Sequence, residues 1–249
     1  MTPEDGAEGM LHPQRARVPW GFKDILKAIG VIVGGLIVTG IPIYLVAEAI
    51  AGDKALEDDP NAWALVLASN FVVQFLMFGS AYWFSVRKYR LDLGALGWKR
   101  PVRGGVLLTT GIVFAAFALT MSWGILLQAL GIEPDTDLPE QTYEDIRPII
   151  ALVILSIFLA PLAEETFFRG FVFGALRPRW GFVLAALASG ALFSVAHIGN
   201  PGYLVVLPSI IGIGFLFSWG YYWSGSLYPS IVAHLAFNSV SVIYSIASG

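Results

Sequence analysis

The run RPIIALVILSIFLAPLAEETFFRGFVFGAL, residues 147–176, decides the fold. About 20 apolar residues suffice to cross a bilayer as a helix, and this run exceeds that. It is also too long and too evenly apolar for a barrel strand, which alternates over about 10 residues. Yet its middle holds Glu164, Glu165 and Arg169. An ionisable group at the centre of a membrane segment costs at least about 2.5–3.5 kcal/mol, and such groups face a cavity or a partner. One stretch therefore predicts both a transmembrane helix and a polar interior site upon it.

Working outward, similar apolar runs lie at roughly 25–50, 62–86, 104–130, 180–198, 203–223 and 228–247. The reading is an all-α, polytopic transmembrane bundle with about seven to eight spans. Composition agrees: 56% of the 249 residues are hydrophobic and 13% charged, against about 25% charged in a soluble domain. Mean hydropathy is +0.70. A net charge of -3 offers no basic surplus for nucleic acid. With no cysteine there is no disulfide, thiolate metal site or cysteine nucleophile. Residues 1–22 form a polar leader carrying Pro3, Pro13, Arg15 and Arg17, with His12 as a solvated bystander, and 23–249 a single transmembrane domain. The first apolar run lacks the short core and prompt cleavage site of a signal peptide and is read as a retained span.

Loop charges orient the chain. Arg15, Arg17, Lys23 and Lys27 precede the first run, Arg87 to Arg103 fill the loop after the second with six basic residues, and Arg177 and Arg179 follow the fourth. The alternate loops are acidic, with Asp53, Glu57, Asp58 and Asp59 in one and Glu133 to Asp145 in the other. Basic loops stay on the cytoplasmic side, which predicts a cytoplasmic N-terminus in the cell membrane. The last 70 residues carry no Asp, Glu, Lys or Arg, so the charge rule is silent there.

Against that depletion, the polar groups kept within the later apolar runs stand out: Glu164, Glu165, Arg169, His197, His234 and Asn238. Glu165 and Arg169, four apart on one helix face, suit an ion pair. Glu164 points about 100° away, free to face a cavity as a general base or acid. His234 and Asn238 also share a face. Singly, each has a bland reading as a structural ion pair or an interhelical hydrogen bond. Together they imply a common site. Helices four and five should run antiparallel about a turn near Pro178, which leaves Glu164 and His197 mismatched by on the order of 7 Å along the axis.

Three motifs thus occur in order: Glu-Glu-x-x-x-Arg at 164–169, Phe-x-x-x-His at 193–197 and His-x-x-x-Asn at 234–238. They resemble the CPBP family of membrane endopeptidases, named for CaaX proteases and bacteriocin-processing proteins and also called the Abi family. The stretches Leu93–Trp98 and Ser224–Ser230 resemble it too, and the motif region covers about 145–245. The resemblance implies an intramembrane endopeptidase that hydrolyses a peptide bond of a prenylated or hydrophobic-leader substrate. Glu164 would be general base on a water also held by His197. Glu165 and Arg169 would shape and neutralise the site, His234 and Asn238 would stabilise an oxyanion, and Phe193 would orient His197. Members are often labelled metalloproteases, and Glu164, His197 and His234 reach the three-ligand count of a zinc site. No His-Glu-x-x-His helix is present, and the reading favours a metal-independent, glutamate-activated water with no cofactor. Expected partners are a hydrophobic or lipidated peptide and membrane lipid, with no nucleic acid. The alternatives are a non-catalytic scaffold or bacteriocin-immunity protein using the same cavity for binding, and a small transporter, which would show paired halves with broken helices.

Overall fold

The computed structural model describes residues 18–102, 104–134, 145–198 and 204–248. Most of the polar leader, with His12, Arg15 and Arg17, and the acidic positions 135–144 lie outside the described residues. Among the described residues six long helical elements follow in chain order. They are α1 (Phe22–Ala51), α2 (Pro60–Arg87), α3 (Gly105–Ala129), α4 (Ile146–Val195), α5 (Leu207–Ser224) and α6 (Tyr228–Ser248).

Helix starts follow local chemistry. Asp59 caps α2, accepting from the backbone of Asn61 at 2.9 Å and Ala62 at 3.0 Å, with Pro60 in the first turn. Asp145 caps α4 through the backbone N–H of Arg147 at 2.8 Å. Hydrogen bonds from the Arg147 side chain hold the Asp145 carboxyl down at about 2. At the start of α1, Asp24 accepts from the Gly21 backbone and from Lys88 and Tyr89, tying the first helix to the end of the second. Most of the large side chains of α1, among them Ile37, Val38 and Leu45, point outward. That surface is apolar because its solvent is lipid.

Among the described residues five helices are long and apolar enough to cross a membrane: α1, α2, α3, α4 and α6. The count is lower than the expected seven to eight. The runs expected at 147–176 and 180–198 are two arms of α4, which reverses at Gly181 (φ 75°, ψ 177°), a left-handed position suited to glycine. The second arm, 182–195, is short for a span of its own. The α5 helix is diluted by Ser, Gly, Tyr and Trp. With the reversal at Gly181 rather than near Pro178, Glu164 and His197 lie almost equal chain lengths from the turn, which removes the expected mismatch.

The arms of α4 pack directly. Ser189 Oγ donates to the Phe168 carbonyl at 2.7 Å, and the rings of Phe168 and Phe193 meet at 5.3 Å. Where the second arm meets α5, Gly190 and Gly214 face each other so closely that a Cβ on Gly214 would lie 2.8 Å from the Gly190 Cα. The main core cluster is rich in phenylalanine, including Phe167, Phe171, Phe173 and Phe193. Two family-like stretches meet on its flank. Leu227 N donates to Gly97 O at 2.9 Å, the rings of Trp98 and Tyr228 stand edge to face at 6.0 Å, and Trp98 Nε1 donates to Thr166 Oγ1 at 3.1 Å.

Candidate active site

The paired glutamates sit where α4 changes pitch. Glu164 ends a short α-helical segment, and Glu165–Phe173 continues with the wider π-helical turn. Such insertions are rare and concentrate at functional sites. The two carboxylates point in different directions, as neighbours on a helix do, and each finds a different environment.

Glu165 is fully buried. Its Oε1 accepts from Arg169 Nη1 at 2.8 Å and from His234 Nδ1 at 3.1 Å. Arg169, also fully buried, donates its Nη2 to the Gly214 carbonyl at 3.3 Å and lies 4.4 Å from the centre of the Phe193 ring and 5.2 Å from that of Phe217. Aromatic faces receive a desolvated guanidinium favourably, and the Gly190–Gly214 contact brings that carbonyl close. Among the described residues Glu165 Oε2 and Arg169 Nε have no hydrogen-bond partner.

Glu164 occupies the wall of a cavity of about 370 Å3, whose lining also includes Asn70, Gln74, Ser156, His197 and Asn238. Its Oε1 accepts from Gln74 Nε2 at 3.3 Å, and its buried Oε2 lies 3.8 Å from His234 Nε2. His234 therefore stands between the glutamates, one ring nitrogen toward each, with the Phe217 ring tilted against it at 5.0 Å. His197 lies in the turn just past the end of α4 rather than on the helix, because the helix ends at Val195. Its Nδ1 bonds the Phe193 carbonyl at 2.8 Å and its ring packs on Phe193 at 4.6 Å. A bond to a carbonyl requires the proton on Nδ1, so that in the neutral imidazole Nε2 is an acceptor. Asn238 Nδ2 donates to the Ser156 carbonyl at 2.8 Å.

The structure thus brings Glu164, Glu165, Arg169 and His234 into one cluster, with His197 and Asn238 on the same cavity as Glu164. Among the described residues no three His, Asp or Glu side chains converge into a set able to hold a metal ion. The Nδ1 of each imidazole is engaged, that of His197 with Phe193 O and that of His234 with Glu165 Oε1, and His234 Nε2 stands 3.8 Å from Glu164 Oε2. Sequence reasoning missed Gln74 and Asn70. The signal existed, two carboxamides one turn apart in the apolar run 62–86, but both are uncharged and lie far in sequence from the polar groups of the runs after residue 147.

Apolar helices enclosing a carboxylate–imidazole–guanidinium cluster define an integral membrane protein with a polar site inside its bundle. Residues 146–240, which carry every motif position from Glu164 to Asn238, match the family described as type II CAAX prenyl endopeptidase Rce1-like. The resemblance read from the three motifs is shown over that region. Curated relatives agree. The chain is 27% identical over 133 residues to a protein named as membrane peptidase YdiL of Bacillus subtilis, covering 53% of each chain. It is 27% identical over 141 residues to the membrane-embedded CAAX protease MroQ of Staphylococcus aureus, covering 52% of this chain and 56% of MroQ. An uncharacterized 24.3 kDa protein of Escherichia coli is 28% identical over 200 residues, 74% of this chain and 92% of the relative. The chain thus spans about half the length of the two peptidases it matches. No solved structure matches it.

Proposed function

We propose that this protein is an intramembrane endopeptidase in which Glu164 activates a water for attack on a peptide bond of a hydrophobic or lipidated substrate. The observation that carries the reading is the division of labour between adjacent carboxylates. Glu165 is fully buried with its Oε1 held by both Arg169 and His234, whereas Glu164 borders the cavity with His197 and Asn238. A general base must be within reach of the proton it removes. His197, with Nδ1 committed to Phe193 O, offers Nε2 to the same water. Asn238 keeps a second N–H beyond the one given to Ser156 O, and His234 offers Nε2; both suit stabilisation of an oxyanion. With Nδ1 donating to Glu165, His234 donates through Nε2 only as imidazolium, and in that form the charges of Glu164, Glu165, Arg169 and His234 sum to zero. The name of MroQ and the matching family point to CaaX-type substrates, and the loop charges to a cytoplasmic N-terminus.

The test compares purified protein with Glu164→Gln on internally quenched farnesylated CaaX peptides and hydrophobic leader peptides. Substitution keeps shape and removes the base, so cleavage is lost while peptide binding is retained. Equal cleavage by both forms refutes the role of Glu164. Binding without cleavage by either form supports the scaffold or immunity reading instead. Activity that survives a chelator, with no metal by elemental analysis, supports the metal-independent route.

A further inference from the structure

Gln74 lies outside the matched region 146–240, on α2, yet it supplies the only hydrogen bond that the Glu164 carboxylate receives among the described residues. We infer that Gln74 is the positioning residue that sets the orientation of the Glu164 carboxylate, joining the N-terminal half of the chain to the site.

A glutamate side chain on a helix turns freely about its terminal bond unless something holds an oxygen. Gln74 Nε2 holds Oε1 at 3.3 Å, and Oε2 is thereby directed at His234 Nε2. The amide is oriented by its partner, since only the N–H end can donate to a carboxylate. The consequence is that Gln74 Oε1 is left buried, without a partner among the described residues. An orphaned buried acceptor costs free energy, and such groups in a native structure call for an explanation. Holding Glu164 supplies one: the carboxamide gives up one of its bonds to fix the carboxylate. Asn70, one turn earlier on the same face, lines the same cavity but donates weakly to its own helix, to Val66 O and Leu67 O at 3.4 Å each.

The inference rests on the hydrolytic reading for its kinetic consequence only, so its test has two arms. In the first, protein in lipid nanodiscs is measured by infrared spectroscopy. Subtracting the Glu164→Gln spectrum isolates the Glu164 carboxyl band, and the same subtraction is made in a Gln74→Met background. The band shifts and broadens if Gln74 holds the carboxylate; a band unchanged in position and width overturns the inference. Gln74→Glu serves as a second background should Gln74→Met fail to fold. A merely structural role for Gln74 would not move the band in protein that retains its fold. In the second arm, kcat and KM are read on a farnesylated CaaX peptide. Gln74→Met lowers kcat roughly tenfold to a hundredfold, the range for one hydrogen bond to a charged group, with KM within about twofold. A shifted band with unchanged kcat upholds the orientation of Glu164 by Gln74 and overturns its kinetic consequence. Failure of the unsubstituted protein to cleave counts against the hydrolytic reading, and the infrared result still decides whether Gln74 orients Glu164.

Discussion

Arg169→Met removes the one cation that is completely enclosed among the described residues. Arg169 is fully buried, 2.8 Å from Glu165 Oε1, bonded to Gly214 O and packed on Phe193 and Phe217. Methionine fills much of the same volume but leaves the buried Glu165 carboxylate with His234 as its remaining donor. Breaking a buried pair by removing one partner costs about 3–5 kcal/mol, mostly as the penalty on the charge left behind. At about 2–4 °C per kcal/mol for a chain of this size, that is a fall in Tm of roughly 6–20 °C. The assay is equilibrium unfolding in mixed micelles followed by tryptophan fluorescence, with a thermal melt in parallel. The double variant Glu165→Gln/Arg169→Met discards both charges while the introduced carboxamide oxygen still accepts from His234, and it recovers roughly half of the loss or more. A single variant within about 1 kcal/mol of the parent, or a double variant no better than the single, would refute the view that Arg169 exists to neutralise Glu165.

Two further outcomes follow from packing. Gly214→Ala places a Cβ 2.8 Å from the Gly190 Cα and 3.3 Å from Arg169 Nη2, so it destabilises by about 1–3 kcal/mol and, by displacing the guanidinium, lowers cleavage as well; a melt indistinguishable from the parent contradicts the close crossing. Trp20, fully buried, donates Nε1 to the Phe171 carbonyl at 3.0 Å and stacks on Phe171 at 6.2 Å. Trp20→Phe keeps most of the packing and costs about 0.5–1.5 kcal/mol for the lost hydrogen bond, since Phe171 O still accepts from the Gly174 backbone N–H, whereas Trp20→Ala costs about 3–5 kcal/mol. A Trp20→Phe melt that matches the parent would show that the hydrogen bond matters little.

How far the sequence reaches is clearest in α4. Its span was legible because hydropathy is a local sum, and Glu164, Glu165 and Arg169 were legible because charge is scarce in the runs around them. The i,i+4 pairing of Glu165 with Arg169 was legible for the same reason, since both partners lie within one turn. The wider pitch at Glu165–Phe173 was not, and neither was the reversal at Gly181, where one glycine among 27 adopts the left-handed turn that reverses α4. Those depend on which arm packs on which.

The sequence by itself therefore determined that this chain belongs in a membrane and which side chains populate its polar interior. Only the tertiary structure decided their partners: His234 between two carboxylates, Arg169 against the Gly214 carbonyl, Gln74 on Glu164, and His197 in a turn rather than on a helix. The physical reason is that apolar residues specify burial without specifying neighbours. In lipid the hydrophobic effect does not choose one helix face over another, and the choice falls to close contacts such as Gly190 with Gly214 and to a few hydrogen bonds between residues far apart in the chain.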